Sequence, residues 1–281
     1  MNYIVIIVPT TTELEQERLI ACLMDYPVRA FQQEPDRLLI FPEQDDPLEQ
    51  SVLQYLTEKQ IDFHTEQIEA ENWNANWEQQ LEPVLVSTNH PQYKQISVRA
   101  TFQSVHPMAD LEVVITPRMS FGTGHHATTR LMIEQLASLP VMGKRVLDVG
   151  TGTGVLAILA HKMGASAVYA TESDHWVYNN ALDNFSENNF EDVVLIQTEQ
   201  IPRTFPDADI ILANINTNTI LGLLPQLKDK ANIKEAWVVL SGWLLADRDI
   251  LIKAVLPMGF TLATVAENNG WGVMTCHFAS D

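Results

Sequence analysis

The stretch that most constrains the fold of this chain is Val146-Leu147-Asp148-Val149-Gly150-Thr151-Gly152-Thr153-Gly154. An apolar, β-branched run of this kind makes a strand buried on both faces, and here it breaks into three glycines spaced two apart. The following Val155 to Met163 is rich in helix formers and meets Gly164, a natural C-terminal cap. Strand, glycine turn and helix form a cradle for a nucleotide-type ligand, where the backbone turns tightly and a Cβ would collide with whatever lies over it. Glycine turns also occur where a helix merely packs closely on a sheet, so a second feature is needed. Ala167 to Thr171 reads as the next strand and delivers Glu172 at its end. A carboxylate about 20 residues past the glycines is placed to accept both ribose hydroxyls of an adenosine.

NAD and S-adenosylmethionine both contain that adenosine, and the motif's details separate them. A dinucleotide fold uses G-x-G-x-x-G so that a pyrophosphate can sit on the helix N-terminus. Here the glycines are evenly spaced and Asp148 precedes them, which suits a ligand carrying an ammonium and a sulfonium better than one carrying phosphates. The stretch resembles motif I of the Rossmann-like, class I methyltransferases. That resemblance implies an α/β fold and S-adenosyl-L-methionine as cofactor, with Asp148, Gly150, Gly152 and Glu172 around it.

With 281 residues, of which 46% are apolar and 19% charged, the chain can bury a large core and has room for a second, smaller domain. Its 36 acidic residues against 17 basic ones give a net charge of −19, which argues against free nucleic acid as a partner and fits either simple solubility or a basic protein partner steered in electrostatically. No run of 18 or more apolar residues suggests a membrane span, and Ile4 to Val8 reads as a strand. Cys22 and Cys276 form no framework, as expected of a reducing compartment. A soluble, cytoplasmic protein is the expectation.

Residues 1–65 read as β-α-β-α-β, with strands at Tyr3 to Val8, Arg37 to Phe41 and Ile61 to Phe63 and helices at Glu13 to Met24 and Leu48 to Lys59. This suggests a small α+β domain of ferredoxin-like type with one strand unaccounted for, and without a catalytic cluster its expected role is substrate recognition. Residues 66–82, with Trp73 and Trp77 four apart, read as a linker helix, and residues 83–281 as the catalytic domain. Ser120-Phe121-Gly122-Thr123-Gly124-His125-His126 is a second glycine loop feeding a helix. Its two histidines lack an acidic or cysteine partner at a familiar ligand spacing, so no metal is expected. A loop packing over the cofactor, with Phe121 covering it and Thr129 bonding it from the helix start, is the better account. Asp209 to Ala213 reads as a buried strand with Asn214 at its C-terminal end, the edge where open α/β sheets bind ligands. Asn269-Gly270 reads as the turn of a closing hairpin.

Together, Phe121 to Gly124 with His126 and Thr128-Thr129, the Asp148 to Gly154 motif and Leu212 to Ile215 resemble the bacterial ribosomal protein L-eleven (L11) methyltransferases. Glu71-Asn72-Trp73 with Trp77 resembles the linker of that family. The family pattern is broken at Thr116-Pro117-Arg118, where Asp-Pro-Gly is usual, at His125 and Ala127, where threonine and proline are common, and at Glu172, where aspartate is usual. The resemblance implies cofactor contacts at Thr129, Gly150, Glu172 and Asn214, and methylation of amino groups on ribosomal protein L11, with Asn214 also holding the amine. Two other readings stay open: a catalytically silent S-adenosylmethionine-binding assembly factor, and a nicotinamide-dependent oxidoreductase.

Overall fold

The computed structural model describes residues 2–10, 12–23, 26, 28–42, 47–69, 82–116, 120–232 and 235–278, and the chain divides into two compact units, Met1–Gln80 and Leu81–Asp281. The first contains β1 (Asn2–Pro9), α1 (Glu13–Leu23), β2 (Val28–Glu34), β3 (Arg37–Pro42), α2 (Pro47–Glu58) and β4 (His64–Glu69). The strands form an antiparallel sheet in the order β2-β3-β1-β4, which is the ferredoxin-like arrangement. Ile6, Val8, Leu38 and Ile40 of the two central strands meet Leu23 of α1 and Val52 and Leu56 of α2 in one core. Thr12 opens α1 with a reciprocal cap: the Glu15 N–H donates to its hydroxyl at 3.3 Å, and its own N–H donates to the Glu15 carboxylate at 3.2 Å.

Two expectations for this unit need correcting. The unaccounted strand is β2, and the last strand is His64–Glu69 rather than Ile61 to Phe63. The linker helix therefore does not begin at residue 66, because Glu66 stands in register with Val5 of β1. β1 needs hydrogen-bond partners on both of its sides, and that need outweighs the helix propensity of Glu66 and Gln67. Trp73 and Trp77 lie outside the described residues.

The second unit opens with a small sheet of β5 (Val84–Ser87), β6 (Gln95–Arg99) and β7 (Leu111–Val114), followed by α3 (Ala127–Ala137). A doubly wound sheet follows: β8 (Arg145–Val149), α4 (Val155–Lys162), β9 (Ala167–Glu172), α5 (His175–Glu187), β10 (Val194–Gln197), β11 (Ile210–Asn214), α6 (Thr217–Lys230), β12 (Ala236–Leu244), α7 (Arg248–Val255), β13 (Thr261–Asn268) and β14 (Trp271–Phe278). Its order is β10-β9-β8-β11-β12-β14-β13, parallel from β10 to β12 and antiparallel beyond. Alternate residues serve opposite cores: Val146 and Ile210 join Leu136 of α3 and Ile158 of α4, whereas Leu147 and Ile211 join Leu224 of α6 and Leu251 of α7. Burial on both faces is why these strands are continuous apolar runs. Among the described residues no helix is long and apolar enough to cross a membrane.

The hairpin turn has Asn269 and Gly270 at φ 51° and 79°, as an Asn-Gly type I′ turn requires. Next to it, Trp243 is fully buried and its indole N–H donates to the Leu240 carbonyl at 3.0 Å. The indole ring lies on Gly272, where a Cβ would overlap ring carbons. Gly272→Ala should therefore destabilise the protein by about 1–3 kcal/mol through overpacking. Denaturant unfolding of the parent and the variant checks this, and an unchanged midpoint would show that the indole can move aside.

Candidate functional site

The switch point of the sheet lies between β8 and β11, whose helices leave toward opposite faces and open a crevice at the strands' C-terminal ends. Val149 and Ala213 are register partners, so Gly150 and Asn214 follow side by side at that edge. The cleft there has a volume of about 620 Å³, within the range of small-molecule and cofactor sites. Phe121, Gly150, Gly152, Glu172 and Asn214 all line it. Thr129 and Asp148 do not, although both are buried close to the sheet.

The glycine turn is shaped by protein contacts as much as by room for a ligand. Gly150 and Gly152 have φ of 69° and 60°, and a Cβ on either would meet protein at 2.5 Å, Ile215 Cγ2 in one case and the Phe121 carbonyl oxygen in the other. To the tight turn and ligand approach expected from the sequence, the structure adds these collisions with the protein itself. The second loop docks on the turn: the Thr153 N–H donates to the Phe121 carbonyl at 3.0 Å and the Thr153 hydroxyl to the Gly122 carbonyl at 2.8 Å. Phe121 is left 48% exposed at the cleft, with its ring edge-on to His126 at 5.1 Å.

Glu172 does more than wait for a ribose. Its Oε2 accepts from the Gly152 N–H at 3.0 Å, and its Oε1 accepts from the N–H groups of Ser173 and Asp174 at 2.8 and 3.1 Å. Three of a carboxylate's roughly four acceptor positions are thus used to clamp the turn to the end of β9, leaving about one for a ligand hydroxyl instead of the two expected.

Asp148 does not face the cleft as expected. It is 1% exposed and accepts a 2.6 Å hydrogen bond from the Thr151 hydroxyl, so it braces the turn from behind. Burial pushes its carboxyl up to about 7, with the Thr151 hydroxyl and the Ala157 N–H partly offsetting and the Glu172 charge adding to the rise. A steady negative charge is therefore not what it contributes near neutral pH.

The two histidines are used in packing. His126 caps α3, with Nδ1 accepting from the Thr128 N–H at 3.3 Å, and burial lowers its pKa. Its other face meets Trp271 edge-on at 4.8 Å. His125 sits 3.2 Å from the Thr123 hydroxyl and 3.0 Å from the Glu82 carbonyl.

Two groups of residues escape a reading of the sequence. Thr198, Glu199 and Gln200 line the cleft just after β10, held there by the Thr198 N–H bonded to the Glu172 carbonyl at 2.8 Å. Asn180, Asn184 and Asn188 of α5 and its cap form a buried ladder. Asn180 donates to the Ser120 hydroxyl at 3.0 Å, Asn184 joins the Thr153 carbonyl to the Thr116 N–H at 2.8 and 2.9 Å, and Asn188 bonds both backbone groups of Val114. Their four-residue spacing on a helix is the signal that could have found them.

The residues fit an adenosine-bearing cation. The hydroxyl of Thr129 and the Oδ1 of Asn214 are buried, and neither has a hydrogen-bond partner among the described residues. An ammonium donor in the cleft would satisfy the oxygen of Asn214, which lines it beside Gly150 and Gly152. The sheet order, glycine turn, terminal acid and switch-point cleft together define a class I methyltransferase that uses S-adenosylmethionine.

The sequence profile of the ribosomal protein L11 methyltransferases matches residues 11–278, and the chain belongs to that family. It is 36% identical over 230 residues to the ribosomal protein L11 methyltransferase of Porphyromonas gingivalis, covering 81% of this chain and 74% of that one. With the protein of the same name from Chlorobaculum tepidum, identity is 37% over 205 residues, covering 71% and 68%. Among solved structures, the ribosomal protein L11 methylase of Lactobacillus delbrueckii subsp. bulgaricus superposes with a TM-score of 0.59 at 27% identity, over 65% of this chain and 93% of that one.

Because Asp148 holds its proton more tightly when folded, it favours folding at low pH, and that contribution is lost as pH rises from its ordinary value of 3.8 to about 7. Asp148→Asn removes the proton from the balance. The variant should gain stability relative to the parent as pH rises through that window, as measured by denaturant unfolding at three pH values. A difference independent of pH would show that Asp148 does not titrate there.

Proposed function

We propose that this protein methylates amino groups of ribosomal protein L11, on lysine side chains and at the N-terminal α-amine, in the cytoplasm where ribosomes are made. The observation that carries the reading is Asn214: its amide oxygen is buried without a partner at the switch point, beside the glycine turn, in a chain of this family. Gly150, Gly152, Glu172 and Asn214 hold the cofactor, Phe121 covers it, Asp148 supports it through the turn, and the buried Thr129 hydroxyl, outside the cleft lining, is assigned to it by the family resemblance.

The bound cofactor supplies a methyl group already activated on a sulfonium, so the protein has mainly to align the acceptor. A lysine amine, with an ordinary pKa near 10.4, must lose a proton before it attacks. Desolvation in the cleft favours the neutral amine, and Asn214 Oδ1 accepts one of its N–H bonds to fix the direction of its lone pair. No side chain is needed as a dedicated base. The direct test combines the protein, S-adenosylmethionine and ribosomal protein L11 and follows S-adenosylhomocysteine release with mass spectrometry of the product. Cofactor binding without release would favour the silent assembly-factor reading.

Two substitutions separate the roles. Glu172→Ala should lower cofactor affinity at least tenfold by calorimetry, a loss of about 1.5–3 kcal/mol for a hydrogen bond to a charged group. Asn214→Ala should lower turnover at saturating cofactor more than it weakens cofactor binding, because it loses alignment of the amine. Normal turnover at saturation would confine Asn214 to binding.

The unit containing β1 to β4 is assigned to substrate recognition, since it adds no reactive cluster yet shares the chain with the cleft. A truncated chain beginning at Leu81 should bind the cofactor normally and fail on intact ribosomal protein L11, because docking no longer makes delivery of the amine intramolecular. Methylation by the truncated chain at the full rate would remove that role.

A further inference from the structure

Beside the cleft-lining Ile215 and Asn216 runs a strip that the chemistry described so far does not use. β12 runs on past Ser241, the register partner of Asn214, to Leu244, and the chain continues through Leu245 into a short 3-10 turn ending at Asp247. Two ties hold this strip beside the residues that follow Asn214. The Ile215 N–H donates to the Ser241 carbonyl at 3.1 Å, and the Thr217 hydroxyl donates to Asp247 Oδ2 at 2.6 Å. Between the ties, Leu244 and Leu245 are 50% and 37% exposed. On the neighbouring strand, Trp271 is the register partner of Leu244, and its ring leads through His126 to Phe121 at the cleft. Leu244 and Leu245 thus follow a strand tied to the cleft-lining Ile215, without lining the cleft themselves.

Packing among the described residues leaves these two adjacent leucines exposed beside the site, and exposed apolar surface rimmed by polar groups is a mark of protein-binding surfaces. The rim is mixed but mainly acidic. Asp249 and Glu267 are exposed, the latter in register with Gly272 beside Trp271, and Arg248 is the nearby base. With a net charge of −19 behind it, the strip favours a basic polypeptide over an acidic one.

We infer that the strip centred on Leu244 and Leu245 is the docking surface for the basic protein segment that carries the target amine, whose apolar side chains seat on the two leucines while the amine reaches Asn214. This rests on the functional reading above, because it takes the amine to be delivered from a protein. A free small amine would need only the cleft. The strip would then set which lysines are modified, by the apolar residues flanking them.

The test uses the full chain with Leu244→Asp and Leu245→Asp, and with Met142→Asp as a control at a distant exposed position. Binding of fluorescently labelled ribosomal protein L11 is measured in the presence of S-adenosylhomocysteine, alongside cofactor affinity and methyl transfer. Both leucine variants should weaken binding of the ribosomal protein at least tenfold and raise KM accordingly, with cofactor affinity and kcat within twofold of the parent. Leu244→Met should restore binding, and the control should match the parent. Unchanged binding in leucine variants that hold the cofactor normally overturns the docking inference. A parent that binds the ribosomal protein tightly but transfers no methyl group overturns the functional reading instead, and leaves docking to be judged by the binding data alone.

Discussion

Three segments of this protein meet at Gly152, and the site depends on how closely they do so. Its N–H is held by Glu172 from the end of β9, and its bare α-carbon faces the carbonyl of Phe121 from the second loop. The next residue, Thr153, then bonds that loop twice. A methyl group at position 152 would push apart the turn, the loop and the ribose-side acid together. One missing Cβ therefore sets the distance between the floor of the cleft and its cover. The Asn184 side chain supports the same junction from α5, joining Thr153 to Thr116, so the backbone polar groups around the turn are satisfied without closing the cleft to water.

Legibility in the sequence followed burial. β8 and β11 are covered on both faces, so their apolar runs announced a parallel sheet, and the glycines with Glu172 announced what sits at its edge. β2 and β4 were hidden because both are edge strands of their sheet, where residues such as Gln32, Gln33 and Glu66 look like loop or helix. β10, the edge strand of the larger sheet, was missed likewise, and with it Thr198 to Gln200. Asp148 was legible as part of the motif but not in its orientation, since nothing in the order of residues says that Thr151 turns back to occupy it. The clamp made by Glu172 was hidden for the same reason: hydrogen bonds to backbone N–H groups leave no mark on composition.

The acids of the site illustrate how position decides chemistry. Asp148 and Glu172 end neighbouring strands, yet one is enclosed behind the turn and driven toward its neutral form, while the other is held by three N–H donors at the cleft. Replacing the usual aspartate by Glu172 adds a methylene, which lets the carboxylate reach back to Gly152 as well as the start of α5.

The order of strands also has a consequence for how the protein is made. β14 is synthesised after both of its neighbours, yet it lies between β12 and β13. Until it emerges, the far edge of β12 has no partner, and the indole of Trp243 has no Gly272 to close over it. A nascent chain that already contains the whole glycine turn and its clamp would still display an unpaired apolar edge, which is a hazard for association with other chains. Trp271 reaches its ring contact with His126 only with that last insertion. The sheet beside the cradle is thus finished after it, and a chain stalled late in synthesis would have a largely formed cleft next to an incomplete sheet edge.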